Sequence, residues 1–420
     1  MAGTESLIPA ADHLKWILAE VPRLSVESVP LREAHGRTLA ADVAAQHDLP
    51  LWDNSAMDGY AVRAVDLAAA SATAPVGLRI IGEVAAGSAA DPAIAPGECV
   101  RIMTGAPLPT DADAIVPVEA GVGKDGPGEW AHDSVSFSAV PRPGAHVRRR
   151  GEDVTADMSI AAAGDPLTAM RIAALAAAGV GSVAVHRAPR VAVIATGSEL
   201  QAPGTQLARG QISESNSLLI VSLLAEAGIG AIVHAVSADD PDSFGARISH
   251  LASEVDVIIT TGGVGPGAHD IVRIALAAEP EVRAVRVAVK PGQPQCAGRL
   301  AGGAWIFALP GNPGSAATSF ELFVRPALLR MQGRTVVDRV RVPVRAGVDW
   351  RGSRGRLQVL PIRLEASEAG LECVPAVHER RVSHAVSSGG GAAGYALVPP
   401  EHGDVRAGDV VDVILVGGAV

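Results

Sequence analysis

The sequence predicts a multidomain protein: a central doubly wound α/β domain, an N-terminal helical/β linker domain, a small β domain and a C-terminal β barrel. Three observations favour this fold class. With 420 residues, the chain is too long for a single hydrophobic core. Between residues 188 and 332, short apolar runs alternate with helical patterns, as in a parallel sheet with helices on both faces. The flanking regions combine Pro and Gly with short Val or Ile runs, which favours β structure.

We divide the chain into four domains. Residues 1–45 with 150–187 are assigned to the linker domain, and residues 46–149 to the small β domain. Residues 188–332 are the predicted α/β domain, and residues 333–420 the predicted barrel. The first region begins with a helical pattern over 10–21 and a strand-like run over 25–31. The last region contains three alternating stretches that predict strands: 339–345, 356–364 and 409–415.

The α/β region is predicted in most detail. Five apolar runs predict strands at 191–195, 232–236, 255–261, 285–289 and 305–309. Helices are predicted between them: one capped by Asn216 and ending at Gly228, one over 241–254, one from Asp270, and one near 316–331.

Polar and glycine-rich segments follow these strands at their carboxyl ends, where doubly wound sheets bind ligands. They are 196–199, 239–240, 262–270, 291–292 and 310–315. Glycine-rich loops that enter helices offer backbone N–H groups to phosphate. Glu199 and Asp270 could hold Mg²⁺, which prefers oxygen ligands and commonly bridges to substrate phosphates. Neither a Walker lysine motif nor G-x-G-x-x-G occurs, so an ordinary P-loop or dinucleotide domain is not expected.

Composition excludes several classes of protein. A net charge of −10 argues against a general nucleic-acid binder. The three cysteines are far apart and lack metal-ligand spacing, which indicates thiols of a reducing compartment. Neither a secretory signal nor a membrane span is expected, since the longest apolar stretch, 160–180, is interrupted by charged residues and Pro166. We therefore expect a cytoplasmic protein without membrane or nucleic-acid partners.

Basic residues are distributed unevenly. Only three of the 35 basic residues are lysines, and Lys290 lies at the end of an apolar run in V-A-V-K-P-G. A chain that uses Arg almost throughout favours Lys where a compact ammonium is needed, so Lys290 is a candidate functional residue. The charge cluster R-R-R-G-E-D at 148–153 is either a solvated surface or a site for an anion and a metal.

Two motifs in the small β domain have no apolar period that would build a core. They are D-N-S-A-M-D-G-Y-A-V at 53–62 and R-I-M-T-G-A-P at 101–107. Each motif alone is compatible with an exposed turn. Together with the strand-end segments they indicate loops that present oxygen atoms to a ligand.

Taken in order, seven motifs closely resemble those of the molybdopterin molybdenumtransferases, the family of bacterial molybdenum-insertion proteins and the E domain of gephyrin. The match runs to about residue 330 and comprises D-N-S-A-M-D-G-Y-A, R-I-M-T-G-A-P, R-R-R-G-E-D, T-G-S-E-L, T-T-G-G-V, K-P-G-x-P and L-P-G-N-P-G-S. The resemblance implies a central domain of molybdopterin-binding type and insertion of molybdate into adenylylated molybdopterin, with Mg²⁺ as cofactor and release of AMP. It also implies an elongated homodimer with the site between subunits, and makes molybdopterin adenylyltransferase and molybdoenzymes candidate partners.

The resemblance also implies roles for individual residues. The catalytic positions are Asp58, Thr104, Asp153 and Lys290, and the metal ligands are Glu199 and Asp270. The substrate-binding positions are Arg148, Gly262, Gly263, Pro310, Pro313 and, by a weaker match, Ser383.

The chain departs from the family pattern in two loops. Gly265-Pro266-Gly267 lacks a hydroxyl that many members carry, and Gln293 stands where many have lysine. Two alternatives therefore stay open beside the enzyme. One is a catalytically weakened member that acts as a scaffold or binding protein. The other is a molybdopterin adenylyltransferase, against which the long N-terminal region argues.

Overall fold

A computed structural model describes residues 7–123, 126–127, 129–237, 240–265, 270–368 and 370–416. Its central feature is a six-stranded sheet in the α/β domain. In spatial order the strands are Ala231–Ser237, Val191–Thr196, Val257–Thr261, Trp305–Leu309, Pro294–Arg299 and Val282–Arg286. The first four strands are parallel, and the last two run antiparallel to their neighbours.

Helices cover both faces of this sheet, so the predicted doubly wound arrangement is confirmed. Val191 and Val193 face one layer, whereas Ala192 and Ile194 face the other, as the alternation of side chains along a strand requires. The first layer contains helices Asn216–Glu226, Pro313–Ser319 and Arg325–Met331. The second contains Pro241–Leu251 and Ile271–Leu276.

One predicted strand, 285–289, is divided in the structure. Val282–Arg286 forms the antiparallel edge of the α/β sheet. Val289–Lys290 instead pairs in parallel with Leu357–Gln358 of the C-terminal domain. The apolar run alone could not reveal this division, because both halves are extended and partly buried. Lys290 therefore lies where the two domains meet.

The N-terminal helix, Ala10–Glu20, packs on the α/β core, where Ile17 belongs to the same apolar cluster as Phe323 and Leu328. The remainder of this region forms small antiparallel ladders. Val26–Pro30 pairs with Ser182–His186, which also pairs with Thr38–Leu39, and Val43–Ala44 pairs with Ser159–Ala161. Helix Ala169–Ala177 is capped by the hydroxyl of Thr168.

The small β domain contains a seven-stranded sheet. In spatial order its strands are Gly126–Pro127, Gly121–Gly123, Ser134–Phe137, Val76–Val84, Glu98–Ile102, Gly59–Val62 and Ala114–Pro117. A separate two-stranded ladder joins Asn54–Ser55 to Val147–Arg148. This ladder brings the first motif against the beginning of the R-R-R-G-E-D cluster.

The C-terminal domain is a barrel, as predicted. Its strands are Arg341–Ala346, Leu357–Ser367, Gly370–Pro375, Gly394–Val398 and Val410–Leu415. Pairing between Leu357–Ser367 and Gly394–Val398 closes the ring. Among the described residues, no helix is both long and apolar enough to cross a membrane.

Candidate active site

A pocket of about 740 Å³ lies at the carboxyl ends of the parallel strands. The loops after Val191–Thr196, Val257–Thr261 and Trp305–Leu309 form its walls. Six predicted site residues line it: Glu199, Gly262, Gly263, Asp270, Pro310 and Pro313. The sheet thus brings together segments that are more than one hundred positions apart, at the edge where such sheets bind ligands.

The two glycines of T-T-G-G-V are required by backbone geometry. Gly262 and Gly263 have φ values of +95° and +66°, which favour glycine. A Cβ atom on Gly262 would lie 2.6 Å from the backbone oxygen of Thr196. Any side chain at position 262 would therefore push the loop after Val257–Thr261 away from the end of strand Val191–Thr196.

Glu199 and Asp270 line the pocket from the loops that follow two adjacent strands, Val191–Thr196 and Val257–Thr261. The Glu199 oxygens lie 2.8 Å from the position that a Cβ on Gly197 would occupy, and Asp270 Oδ2 lies 3.0 Å from that of Gly265. Each carboxylate therefore rests against backbone that has no side chain. The described residues contain no cluster of three or more His, Cys, Asp or Glu with the geometry of a metal site. Two carboxylates fit Mg²⁺, because this ion usually keeps waters and substrate phosphates as its other ligands.

The prediction that Asn216 caps its helix is wrong. The helix begins at Asn216, and the buried Glu214 carboxylate accepts a hydrogen bond from the Ser217 N–H at 2.8 Å. The Asn216 amide instead donates to the Gly311 carbonyl at 2.6 Å and so joins two walls of the pocket. Both residues line the pocket and were missed as site residues. The sequence carried no recognised capping signal for this arrangement, because the capping box places the acid after the Ser or Thr and not before it.

A segment of the C-terminal barrel closes one side of the pocket. The Gly314 N–H donates to the Ser383 carbonyl at 3.0 Å, and a Cβ on Gly314 would lie 2.0 Å from the Val382 oxygen. His384 and Val386 line the pocket, whereas Ser383 contributes its backbone. His384 was not predicted as a site residue, although the weaker match at Ser383 pointed to the same segment.

Lys290 does not line this pocket, and its strand pairs instead with Leu357–Gln358 of the barrel. Burial lowers the pKa of Lys290, the positive charge of Arg356 lowers it further, and Glu379 partly opposes both effects. The ammonium therefore lies among charged groups of the barrel. Gln293, where many family members have lysine, accepts a hydrogen bond from the Arg286 guanidinium at 3.0 Å. A cation is thus present beside Gln293. Pro266 and Gly267, in the other departure, lie outside the described residues, as does Asp239 of the predicted segment 239–240.

The N-terminal candidates form a separate group. None of Asp58, Thr104, Arg148 and Asp153, all of which the structure describes, lines the α/β pocket. Asp58 is exposed, and its carboxylate accepts hydrogen bonds from the backbone and hydroxyl of Thr104. These bonds lower the pKa of Asp58.

Two arginines of the R-R-R-G-E-D cluster are engaged in salt bridges. Arg149 Nη1 lies 2.5 Å from Asp53, and Arg150 Nε lies 2.5 Å from Asp48. Their guanidinium groups therefore neutralise neighbouring acids. Arg148 is paired through its backbone strand with Asn54, which places its exposed side chain next to the first motif.

Family models match most of the chain, in three consecutive segments. Residues 8–179 match the family described as the MoeA N-terminal region (domain I and II), 192–330 the probable molybdopterin binding domain, and 343–416 the MoeA C-terminal region (domain IV). The N-terminal and C-terminal regions match MoeA models in addition to the match of the central domain. The adenylyltransferase alternative is therefore not favoured.

Similar proteins from two bacteria are both named as molybdopterin molybdenumtransferases. The chain is 44% identical over 312 residues to molybdopterin molybdenumtransferase 2 of Mycobacterium tuberculosis, covering 73% of this chain and 75% of that protein. It is 31% identical to molybdopterin molybdenumtransferase of Staphylococcus aureus, covering 97% and 95%. The crystal structure of the molybdopterin biosynthesis moeA protein from Pyrococcus horikoshii matches with a TM-score of 0.80 at 28% identity, covering 98% and 100%. The resemblance inferred from the seven motifs is confirmed, and the chain belongs to the molybdopterin molybdenumtransferase family.

Proposed function

We propose that this chain inserts molybdenum into molybdopterin during molybdenum cofactor biosynthesis, and that the reaction takes place at the α/β pocket. The observation that carries the proposal is the convergence of Glu199, Gly262, Asp270 and Pro310 on one cavity of about 740 Å³. Family membership supplies the reaction class, and the pocket supplies acids and glycine loops suited to a phosphorylated substrate. The substrates proposed are molybdate and adenylylated molybdopterin, and AMP is released.

Mg²⁺ is the proposed cofactor, with Glu199 and Asp270 as its protein ligands. When bound, it supplies positive charge to the phosphoanhydride of the adenylylated substrate. The glycine loop at 262–263 admits a substrate close to the backbone, because it has no side chains there. His384 and Val386 of the barrel line the same pocket, so the barrel supplies part of the proposed substrate-binding surface.

Lys290 is the proposed principal cation for the molybdate oxyanion. The charges of Arg356 and Arg380 act on Lys290, so positive charge accumulates where the barrel meets the α/β domain. Such preformed positive charge stabilises an oxyanion without reorganisation during the reaction. Ser383 lies on the same barrel segment that covers Gly314, which makes it a candidate hydroxyl donor to that anion.

The N-terminal motifs are proposed to complete the site of a second subunit in a homodimer. Asp58, Thr104, Arg148 and Asp153 do not line the pocket of their own chain, although the resemblance gives them site roles. A partner that supplies these groups explains both facts. The dimer would act in the cytoplasm, where it would receive substrate from a molybdopterin adenylyltransferase and deliver product to molybdoenzymes.

The test is metal insertion by the purified chain with adenylylated molybdopterin, molybdate and Mg²⁺, followed by AMP release and by activation of an apo-molybdoenzyme. We expect both products to form together. AMP release without cofactor formation would contradict insertion, and binding without either product would favour the scaffold alternative. Sedimentation at micromolar concentration tests the dimer, since an active monomer would exclude a site shared between subunits.

A further inference from the structure

A second cavity, of about 420 Å³, lies in the small β domain next to the first motif. Trp52, Pro107 and Leu108 give it apolar walls, and Asp91 and Thr110 give it polar ones. Its volume lies within the range of about 300–1,000 Å³ found for small-molecule sites. Neither the family roles nor the α/β pocket accounts for this cavity.

Trp52 is unusual among the tryptophans of the chain. It is 48% exposed, whereas Trp305 and Trp350 are 3% and 5% exposed and Trp16 and Trp130 are partly buried. Its backbone is nevertheless fixed, because the Asn54 amide donates to the Trp52 carbonyl at 3.3 Å. The adjoining wall is fixed as well, since the Leu108 N–H donates to the Asp53 carbonyl at 2.9 Å. An indole held at the wall of a cavity is a stacking surface for a flat ring.

The polar wall carries a carboxylate in a defined position. Asp91 accepts hydrogen bonds from the Thr110 N–H at 2.8 Å and from its hydroxyl at 2.7 Å. These bonds lower the pKa of Asp91, so the group is an anion at neutral pH. A carboxylate has about four acceptor positions, which leaves capacity for donors of a ligand.

We infer that this cavity binds the pterin ring of the substrate, which stacks on Trp52 and donates hydrogen bonds to Asp91. The inference rests on the proposed function and adds a pterin subsite to it. Two heterocycles of the adenylylated substrate could stack on an indole, namely the pterin and the adenine. The 2-amino group and ring N–H of a pterin form adjacent donors that match a carboxylate, whereas adenine has a single amino group on its edge. The anionic Asp91 therefore favours the pterin.

The experiment is a titration of the full-length chain with 6-hydroxymethylpterin and, separately, with AMP, followed by tryptophan fluorescence and calorimetry. We expect saturable binding of the pterin with quenching of Trp52, and much weaker binding of AMP. Trp52→Leu should weaken pterin binding roughly fivefold to 150-fold, the effect of losing one base–aromatic stack. Trp52→Phe retains a ring, so its affinity for the pterin should lie between those of the original chain and Trp52→Leu. Asp91→Asn should lower the affinity for the pterin more than that for AMP.

Leu51→Ala is the matched control, because Leu51 is 44% exposed yet does not line the cavity. It should bind pterin as the original chain does. Unchanged pterin affinity in Trp52→Leu, or preference for AMP, would overturn the assignment. Trp52 emission that depends on protein concentration but not on pterin would identify a subunit contact instead. A chain that inserts molybdenum but shows no saturable pterin binding would refute this inference alone, whereas pterin binding without insertion would refute the proposed reaction alone.

Discussion

The carboxylate of Asp58 accepts two hydrogen bonds from Thr104, one from the backbone N–H and one from the hydroxyl, each at 2.7 Å. The residues lie in the two motifs that first distinguish the sequence, and antiparallel pairing of Gly59 with Ile102 brings them together. The backbone and then the hydroxyl of Thr104 lower the pKa of Asp58. Although exposed, Asp58 is therefore held as an oriented anion.

Removing the Thr104 hydroxyl should change the pH dependence of activity on the acid side. Thr104→Val retains the backbone donor and removes the other, so the pKa of Asp58 should rise. If the proposed site uses the ionised form of Asp58, the variant should lose activity at a higher pH than the original chain does as the pH falls. Asp58→Asn should lower the insertion rate roughly 10²- to 10⁴-fold if this carboxylate transfers a proton. Carboxyl NMR titration measures the pKa, and an unchanged value in Thr104→Val would contradict the geometry. As a control, Thr110→Val should raise the pKa of Asp91, whose hydrogen bond it removes, and leave the pKa of Asp58 unchanged.

The two carboxylates of the α/β pocket should control the requirement for Mg²⁺. Glu199→Gln and Asp270→Asn each remove one anionic ligand, so the Mg²⁺ concentration for half-maximal insertion should rise at least about tenfold. Excess Mg²⁺ should partly restore the rate. Glu254→Gln is a suitable control, because Glu254 is exposed and lies outside the pocket. A Mg²⁺ dependence that is identical in all variants would remove Glu199 and Asp270 from the metal site.

Lys290 should give molybdate binding an alkaline limit. Burial lowers the pKa of Lys290, so its ammonium loses the proton at a lower pH than a free lysine does. The KM for molybdate should therefore rise as the pH increases through this lowered value. Lys290→Ala should cost about 2–5 kcal/mol, or roughly thirtyfold to several thousandfold in molybdate use. Lys290→Arg should abolish the alkaline limit, since a guanidinium stays charged. If Lys290→Ala uses molybdate as well as the original chain does, the oxyanion site lies elsewhere.

Gly314 should control the contact between the barrel and the pocket. Gly314→Ala places a Cβ against the Val382 carbonyl, so the segment that carries Ser383 and His384 must move. We expect a loss of about 1–3 kcal/mol in stability, typical of overpacking, together with weaker molybdate use. Gly245→Ala is the matched control, because it lies within helix Pro241–Leu251 with open space around it. That change should stabilise the chain by about 0.4–1 kcal/mol. Calorimetry measures the unfolding transition of each variant. Equal transition temperatures for Gly314→Ala and Gly245→Ala would contradict the predicted clash.

Much of the α/β domain could be predicted because its signals are local. The run at 305–309 is a strand with the predicted bounds, and the polar segments predicted after Val191–Thr196, Val257–Thr261 and Trp305–Leu309 contribute residues to the pocket. The sequence therefore predicts Glu199, Asp270 and Pro310 at one edge of the sheet, where all three line the pocket. The helix cap was mistaken because Glu214 and Asn216 are both polar and adjacent to the helix start, and only coordinates show which one meets the Ser217 N–H.

The sequence by itself determined the order of the domains, the doubly wound sheet and the acids and glycines of its loops, because strand period and turn chemistry are properties of short segments. Only the tertiary structure decided that Val289–Lys290 joins the barrel, that His384 reaches the α/β pocket, and that Trp52 opens into a cavity. These features depend on contacts between segments far apart in the chain. Packing between segments and domains fixes their geometry, and a local pattern of residues carries no information about such packing.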